Sequence, residues 1–510
     1  MRRLAQLLVF AAASDQLNVR KILIVLLTIA LQLAHWLGAP LAQARPAAID
    51  SALMMVLDQT PIDQPLDVII TLRDRADLSH LDRSAVPAAL YRHAAATQTD
   101  LLTMLSAQPA DRVQHVTSLW IDNAIALSAN RSVILDLAHR SDVGRIQLDD
   151  VHQIPAPVTH TSAVPSNLTA INVMPVWQRG IMGQGVVVAV LDSGADLANA
   201  DLKAKWRGGT NSWFDPYGEH DMPVDLSGHG TQVLGVILGG DDEDGQPIGV
   251  APGAQWIAAR IFNDRGRATT SAIHRALQWV LDPDGDPSTF DAPQVVNNSW
   301  SFANPGCSSD FDADLRALRA AGILPVFAAG TQQAVSPANL PDAFAIGALE
   351  NATTLSSDSA HGPADCLGTT HVYPQLVAPG DSIRTTDHYG VYTTAAGTSL
   401  AAAHVSGALA LLLSARPQLS ADEQAALLTS TAADLGVTGP DNDFGYGRLD
   451  VAALIDRAAP NQIPLGALGV FGGMLIAMFF GILLTHHRRA AKPLRADFVH
   501  IDTRWRDLDS

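Results

Sequence analysis

Short apolar runs recur between residues 186 and 378, and longer segments with apolar side chains at helical spacing separate them. Runs of this length, bounded by polar residues, predict buried strands. The predicted strands are 186–191, 256–261, 295–297, 324–328, 343–348 and 376–378. The predicted helices are 229–238, 271–280, 311–321 and 399–413. Because strands that alternate with helices usually pair in parallel, residues 171–458 are predicted to have an α/β fold, a parallel sheet covered by helices on both faces.

The segment before this region has a different pattern. Over residues 45–153, strand-like runs at 67–72, 116–127 and 143–148 alternate with helical spacing at 85–105 and 133–139. This order predicts a small α+β domain. The segment that follows is rich in proline, serine and threonine, so residues 154–170 are predicted to be a linker that contains a processing site.

Two further apolar segments predict the cellular location of the chain and its orientation in a membrane. Residues 22–33 follow a basic pair and precede Ala-Gln-Ala at 42–44, so residues 1–44 are predicted to be a signal peptide with an N-terminal extension. Residues 465–484 carry no charge and have the length of a transmembrane helix; the alternative is a buried core helix. Four basic residues lie between 488 and 495. The positive-inside rule therefore predicts a cytoplasmic tail at 485–510 and an extracytoplasmic domain before the membrane.

Net charge argues against one class of partner, and cysteine content argues against two kinds of structural site. The formal net charge is -18, which argues against nucleic acid, because phosphate binding requires clustered basic residues. The two cysteines, Cys307 and Cys366, are too few for a disulfide scaffold or a zinc finger. In an exported domain they predict one disulfide, and the alternative is two buried free thiols.

Three acidic segments, at 241–244, 282–286 and 441–443, are candidate cation loops. Oxygen-rich loops suit Ca²⁺, but the glycine and glutamate spacing of an EF-hand is absent from these segments. Solvated loops are therefore the favoured interpretation. We predict no metal site and no required cofactor, and any bound Ca²⁺ would be structural.

Three short segments contain candidate catalytic residues. Asp192 ends an apolar strand, His229 lies between two glycines at the start of a helix, and Ser399 begins an alanine-rich helix. Each residue alone also has a structural explanation: a turn acid, a structural histidine and a helix N-cap. Together they supply the nucleophile, base and orienting acid that acyl transfer needs. The helix start also directs the backbone N–H of Ser399 toward a developing oxyanion.

The segments around these residues resemble a known family. They read VAVLDSGAD, GHGTQVLG and GTSLAAAHVSG, and they resemble the three signature blocks of the subtilisin-like (S8) serine peptidases. Further similar segments, VVNNSW, LPVFAAG and LVAPG among them, extend the resemblance over residues 171–458. LDVIITLRDRADLS, at 66–79, resembles a propeptide of this family. The resemblance implies that Ser399 attacks the scissile carbonyl, His229 takes its proton and Asp192 orients the imidazole.

The resemblance also implies a set of substrate-binding residues. Ser299, Trp300 and Ser301 would pair with the extended substrate as an added strand. Three small residues would line one wall of the pocket for the substrate side chain before the scissile bond: Ala328, Ala329 and Gly330.

Two positions depart from the family pattern. Thr331 stands where the family has the asparagine whose amide is the second oxyanion donor, so the predicted oxyanion hole consists of Thr331 and the Ser399 backbone. Phe302 stands where the family has glycine. It either stacks on a substrate side chain in the cleft or points away from the cleft.

These observations predict a membrane-anchored, extracytoplasmic serine endopeptidase that hydrolyses polypeptides through an acyl-enzyme. It would be made as a zymogen, with residues 45–153 as an inhibitory propeptide. The alternative, motivated by Thr331 and Phe302, is a weakly active or non-catalytic peptide-binding protein at the membrane. A less favoured third class is an esterase that uses the same nucleophile.

Overall fold

The computed structural model describes residues 48–154, 167–303 and 305–459. The predicted signal peptide, transmembrane helix and cytoplasmic tail lie outside these residues, as does most of the predicted linker. The described residues up to Leu454 belong to one compact unit, and residues 455–459 belong to a second.

The first described segment, 48–154, builds a five-stranded sheet with three helices. Its elements are β1 (Ala48–Ile49), α1 (Ser51–Gln59), β2 (Leu66–Leu72), α2 (Val86–Ser106), β3 (Val113–Leu119), β4 (Ala124–Ala129), α3 (Arg131–Ala138), β5 (Val143–Leu148) and the short strand β6 (Val151–Gln153). The strand order is β1-β5-β2-β4-β3, and all pairs except β1–β5 are antiparallel. The segment has its own apolar cluster, formed by residues such as Leu53, Val68 and Leu101.

The single strand predicted at 116–127 is wrong, because the structure has a hairpin there. Strands β3 and β4 are joined by a turn that contains Trp120 and Ile121. Both side chains are buried, but they belong to the apolar cluster of the following segment, together with Leu277. Their apolar character therefore reflects burial against another part of the chain, which a local pattern cannot distinguish from burial within a strand.

The following segments, up to Leu454, contain the predicted parallel sheet. The helices are α4 (Asn167–Ala170), α5 (Met174–Trp177), α6 (Ala200–Lys205), α7 (His229–Leu238), α8 (Thr270–Leu281), α9 (Asp312–Ala320), α10 (Thr398–Ala415), α11 (Ala421–Thr431) and α12 (Val451–Ala458). The strands are β7 (Val187–Asp192), β8 (Trp213–Phe214), β9 (Gln255–Arg260), β10 (Arg267–Thr269), β11 (Val295–Asn298), β12 (Pro325–Ala328), β13 (Phe344–Leu349), β14 (Ala364–Cys366), β15 (Thr369–His371), β16 (Leu376–Pro379), β17 (Ile383–Thr386) and β18 (Tyr392–Ala395). The sheet has the order β16-β13-β12-β11-β7-β9-β8, and its strands run parallel.

The six predicted strands of this sheet and the four helices predicted for the same region are confirmed. Their end positions differ from the predicted ones by at most two residues. Helix α10 packs against β11, β12 and β13 and is almost fully buried from Thr398 to Leu413. Among the described residues it is the one helix long and apolar enough to cross a membrane, but 83% of its length is buried inside the protein. Its apolar sequence is therefore explained by its place in the core.

Candidate active site

Asp192 and His229 come together at the carboxyl end of the sheet. Asp192 is the last residue of β7, and His229 is the first residue of α7. The His229 Nδ1 and the Asp192 Oδ1 are 2.7 Å apart, and both side chains are buried. The neighbouring Gly230 is required by this approach, because a Cβ there would lie 2.2 Å from the carbonyl oxygen of Gly194.

The buried carboxylate sets the proton affinity of the imidazole. Burial acts to lower the pKa of His229, but the negative charge of Asp192 and its hydrogen bond outweigh burial, so the pKa is raised above its ordinary value. With its Nδ1–H donated to Asp192, the histidine leaves Nε2 free to accept a proton. This is the tautomer that a general base requires.

Asp225 fixes the relative position of these two elements, a role that was not predicted from the sequence. It is buried, and its Oδ1 accepts hydrogen bonds from the Ser193 Oγ and the Gly228 N, both 2.9 Å long. Its Oδ2 accepts from the backbone N and the Oγ1 of Thr231, at 2.9 and 2.7 Å. Asp225 therefore ties the end of β7 to the first turn of α7. An acid four residues before a helix-starting histidine is the only signal that could have indicated it.

Ser399 is the second residue of α10, opposite the end of β11. Its Oγ donates a hydrogen bond to the carbonyl oxygen of Ser299, 3.1 Å away, and the Ser299 Oγ donates to the carbonyl oxygen of Ser399, 2.8 Å away. Ser399 and His229 line the same cleft. In this arrangement the hydroxyl is hydrogen-bonded to the main chain, so proton transfer to His229 requires that this hydrogen bond first break.

The cleft brings together most of the substrate-binding residues predicted from the sequence. Five of the six line it: Ser299, Trp300, Ser301, Ala328 and Gly330. Ala329 is fully buried behind the wall, and its carbonyl oxygen accepts a hydrogen bond from the Tyr373 hydroxyl. It therefore supports the wall rather than facing the cleft.

Thr331 lies on the rim of the same cleft, and it is exposed. Its backbone forms an antiparallel bridge with Ser359, and Gly330 before it has a φ of +94°. Asn339, the next asparagine along the chain, is buried, and its amide donates to the carbonyl oxygen of Gly306. The Asn339 amide is thus hydrogen-bonded away from the cleft. Thr331 is therefore the side chain of this loop that lines the cleft.

Phe302 is partly buried, and it packs against the apolar cluster of the segment that contains the parallel sheet. Its ring stacks on the ring of His152 from the first segment, with centroids 4.0 Å apart and planes 8° from parallel. Its backbone N donates to the carbonyl oxygen of Ser336, which holds the loop in place. Phe302 is not among the residues that line the cleft of Ser399, and its ring packs on His152 of the first segment instead.

The carboxylates of the acidic segments mostly accept hydrogen bonds from the backbone of their own loops. Asp242 accepts backbone hydrogen bonds from Asp244 and Gln246, and Asp441 accepts from Asp443 and Phe444. In the part of the chain that the structure describes, two groups of carboxylates converge closely enough to hold a cation: Glu219 and Asp264 with His220, and Asp282 with Asp284 and Asp291. Arg260 pairs with both acids of the first group and with Asp215, so it offsets part of their negative charge.

The two cysteines are joined. Cys307 and Cys366 form a disulfide across 59 residues of sequence, with Cα atoms 5.2 Å apart. The bond connects the loop that follows Phe302 to strand β14. It therefore restricts the loop that carries one edge of the cleft.

Comparison with known proteins identifies the family. Residues 183–447, more than half of the chain, match the model of the subtilase family (peptidase S8). Bacillopeptidase F of Bacillus subtilis is 32% identical over 412 residues, which are 73% of this chain but only 28% of that protein. Subtilisin DY of Bacillus licheniformis is 32% identical over 292 residues, 56% of this chain and 95% of that protein. Subtilisin E of Bacillus subtilis is 29% identical over 334 residues, 64% of this chain and 78% of that protein. With the parallel sheet and a cleft formed around Asp192, His229 and Ser399, the chain belongs to the subtilase family of serine endopeptidases.

Proposed function

We propose that the chain is a membrane-anchored, extracytoplasmic serine endopeptidase, made as a zymogen, whose catalytic triad is Asp192, His229 and Ser399. The observation that carries this proposal is the buried 2.7 Å contact between His229 and Asp192 in the cleft that Ser399 also lines. Polypeptides are the proposed substrates.

The proposed reaction begins with the Ser399 hydroxyl, which attacks the scissile carbonyl while His229 Nε2 accepts its proton. Asp192 stabilises the resulting imidazolium, consistent with the raised pKa of His229. The imidazolium then gives the proton to the leaving amine, which leaves an acyl-enzyme on Ser399. Water, deprotonated by the same histidine, releases the second product.

The oxygen of the tetrahedral intermediate carries a negative charge, which hydrogen-bond donors must stabilise. The backbone N–H of Ser399 lies in the first turn of α10, where the helix dipole favours an anion. Thr331 is the proposed second donor, through its hydroxyl. A hydroxyl on a short side chain reaches less far than an asparagine amide, so we propose a slower enzyme than its relatives.

The zymogen proposal is supported by the contact between the first segment and the peptidase fold. Strand β6 pairs antiparallel with β10, with His152 opposite Ala268, and the Ile154 N donates to the carbonyl oxygen of Gly266. Residues 151–154 are thus held in an extended conformation, as a substrate would be. We propose that residues 45–153 inhibit the peptidase until they are cleaved off within residues 154–170.

Low pH is expected to weaken this inhibition through His152. Burial lowers the pKa of His152 from 6.5 to about 4, although Asp310, which pairs with Arg145, opposes the shift. The docked state therefore binds fewer protons than the free propeptide. This contribution to docking is fully present above pH 6.5 and is lost as the pH falls toward 4. Taken alone, this contribution of His152 should make the propeptide bind about tenfold more weakly at pH 5.5 than at pH 7.5.

The measurement is the inhibition constant of the separate propeptide against the processed enzyme at the two pH values. His152→Phe is the matched control, because it keeps a stacking ring but removes the titrating group. The expected result is a steeper pH dependence for the original propeptide than for the variant. Equal slopes for the two propeptides would contradict the role of His152.

The proposed membrane anchor is supported by the apolar sequence of residues 465–484 and by the basic residues that follow it. It predicts that the chain stays with the membrane pellet after extraction at alkaline pH. Recovery of the intact chain in the soluble fraction would refute the anchor without affecting the peptidase.

Covalent labelling tests the proposed activity directly. A fluorophosphonate should react with the processed chain, and mass spectrometry should find the label on Ser399. His229→Ala, which removes the base and keeps the nucleophile, should label far more slowly. An unlabelled chain that also leaves its propeptide uncleaved would favour the peptide-binding alternative.

A further inference from the structure

Three carboxylates converge in the loop between α8 and β11. One oxygen each from Asp282, Asp284 and Asp291 lies within 4.8 Å of the other two. We call these three carboxylates the aspartate cluster. Asp291 lies outside the acidic segment 282–286, so the sequence pattern did not include it in a candidate cation loop.

Asp282 is the buried member of the aspartate cluster, and its carboxylate faces those of the other two acids. Its exposed fraction is 6%, and its Oδ2 has no hydrogen-bond partner among the residues that the structure describes. The Tyr91 hydroxyl of α2 lies beside the same carboxyl group, yet this oxygen stays unsatisfied. A buried carboxylate oxygen without a partner is strongly unfavourable, so a cation that contacts Oδ2 would stabilise the loop.

The end of α8 adds to the negative potential at this point. Asp282 directly follows Leu281, the last residue of the helix, and the last turn of the helix carries no basic side chain. The helix dipole places partial negative charge at the carboxyl end, where a cation is stabilising and a carboxylate is not. The fold therefore gathers negative charge at a place that favours a positive charge.

The described residues supply no cation to the aspartate cluster. Arg260 forms ion pairs with Glu219 and Asp264 of the other acidic group, whereas the ion pairs of the described residues include none with a member of this cluster. Arg207 lies near the cluster, but its guanidinium donates to the carbonyl oxygens of Asp291 and Asn211. The three negative charges are therefore without an ion-pair partner in this part of the chain.

Neutral donors hold two of the carboxylates in place. The Asn211 amide donates to the Asp291 Oδ2 over 2.7 Å. Asp284 accepts from the backbone N of Asp286 and the Oγ1 of Thr289, at 2.9 and 2.8 Å. These hydrogen bonds orient the oxygens as second-shell partners do at metal sites, and they do not neutralise the charge.

The donor set selects the kind of cation. All the ligands are carboxylate oxygens, which suit a hard cation rather than Zn²⁺ or Cu²⁺. Ca²⁺ binds oxygens at about 2.3–2.6 Å, so oxygens on opposite sides of the ion are about 4.6–5.2 Å apart. The aspartate oxygens, at most 4.8 Å apart, fit this span. Mg²⁺ demands a near-ideal octahedron and keeps several waters, so an irregular set of three aspartates suits Ca²⁺ better.

We propose that the aspartate cluster binds one Ca²⁺ ion through Asp282, Asp284 and Asp291, with water completing the coordination. The ion ties the end of α8 to the chain before β11 and, through Asp291, to the segment around Asn211. Its role is structural and does not depend on the proposed peptidase function.

The test measures Ca²⁺ binding to the full chain by calorimetry, after a chelator has removed divalent cations and with Ser399→Ala to prevent self-cleavage. An ion should bind with a dissociation constant of roughly 10⁻⁴–10⁻³ M, the range of extracellular calcium modules. Asp284→Asn should raise this constant about tenfold or more, because it removes one charged ligand. Asp284 is exposed, so this variant should fold.

Asp286→Asn is the matched control. It makes the same change of charge in the same loop, but the Asp286 carboxylate accepts from the backbone N and the Oγ of Ser288 and lies outside the aspartate cluster. This variant should bind Ca²⁺ as tightly as the original chain. An equal loss in the two variants would overturn the proposal, as would Ca²⁺ binding that Asp284→Asn leaves unchanged. The absence of binding at about 10 mM Ca²⁺, tenfold above the weakest expected constant, would also overturn it.

Discussion

Replacing Ser399 with alanine is expected to lower kcat by about 10⁶-fold, the size of loss known from subtilisin when its nucleophile is removed. The reason is that His229 and Asp192 act only through the hydroxyl, so without it they have no proton to transfer. Alanine is smaller than serine and therefore fits, and the substitution removes one side-chain hydrogen bond, to the Ser299 carbonyl oxygen. The measurement is kcat on a peptide substrate, with propeptide processing followed in the same preparation.

A matched control separates loss of chemistry from loss of folding. Ser414 lies at the other end of α10 and donates only to the carbonyl oxygen of Leu411 within the helix. Ser414→Ala should therefore keep full activity and processing. Activity of the Ser399→Ala chain within tenfold of the original would show that another residue is the nucleophile.

Replacing Thr331 with asparagine is expected to raise kcat, by up to about 10²–10³-fold, the effect that one side-chain oxyanion donor has in subtilisin. Thr331 is exposed on the cleft rim, so the longer amide meets little steric resistance. An amide donor would reach further toward the oxyanion than the threonine hydroxyl. KM should change less than kcat, because the new hydrogen bond forms in the transition state.

The companion variant is Thr331→Val, which keeps the shape of the side chain and removes the hydroxyl. If the hydroxyl serves as the second donor, kcat of this variant falls below that of the original enzyme. If both variants match the original enzyme, Thr331 lies outside the oxyanion site. A large gain in the asparagine variant with no loss in the valine variant would mean that the original enzyme uses one donor only.

The sequence predicted the parallel sheet well because each strand is buried on both faces and therefore reads as a continuous apolar run. It placed the three triad candidates at strand ends or helix starts, whereas the other residues of the cleft followed from the resemblance to the subtilisin-like family. It failed at Trp120 and Ile121, whose burial depends on a distant segment. The roles of Asp225 and the stack of His152 on Phe302 were also outside its reach, because both depend on contacts between residues that are far apart in the sequence or in separate elements.

The hydrogen bonds of Asp225 have a consequence for how this enzyme can change. Because they join the Ser193 hydroxyl, next to the end of β7, to backbone N–H groups at the start of α7, the alignment of Asp192 with His229 depends little on the loops that contact substrate. The loop around Phe302 can diversify while the proton-transfer pair stays aligned, whereas a change at Thr331 would alter the proposed oxyanion hole. New specificities can thus arise by mutation of the Phe302 loop without loss of the alignment between Asp192 and His229.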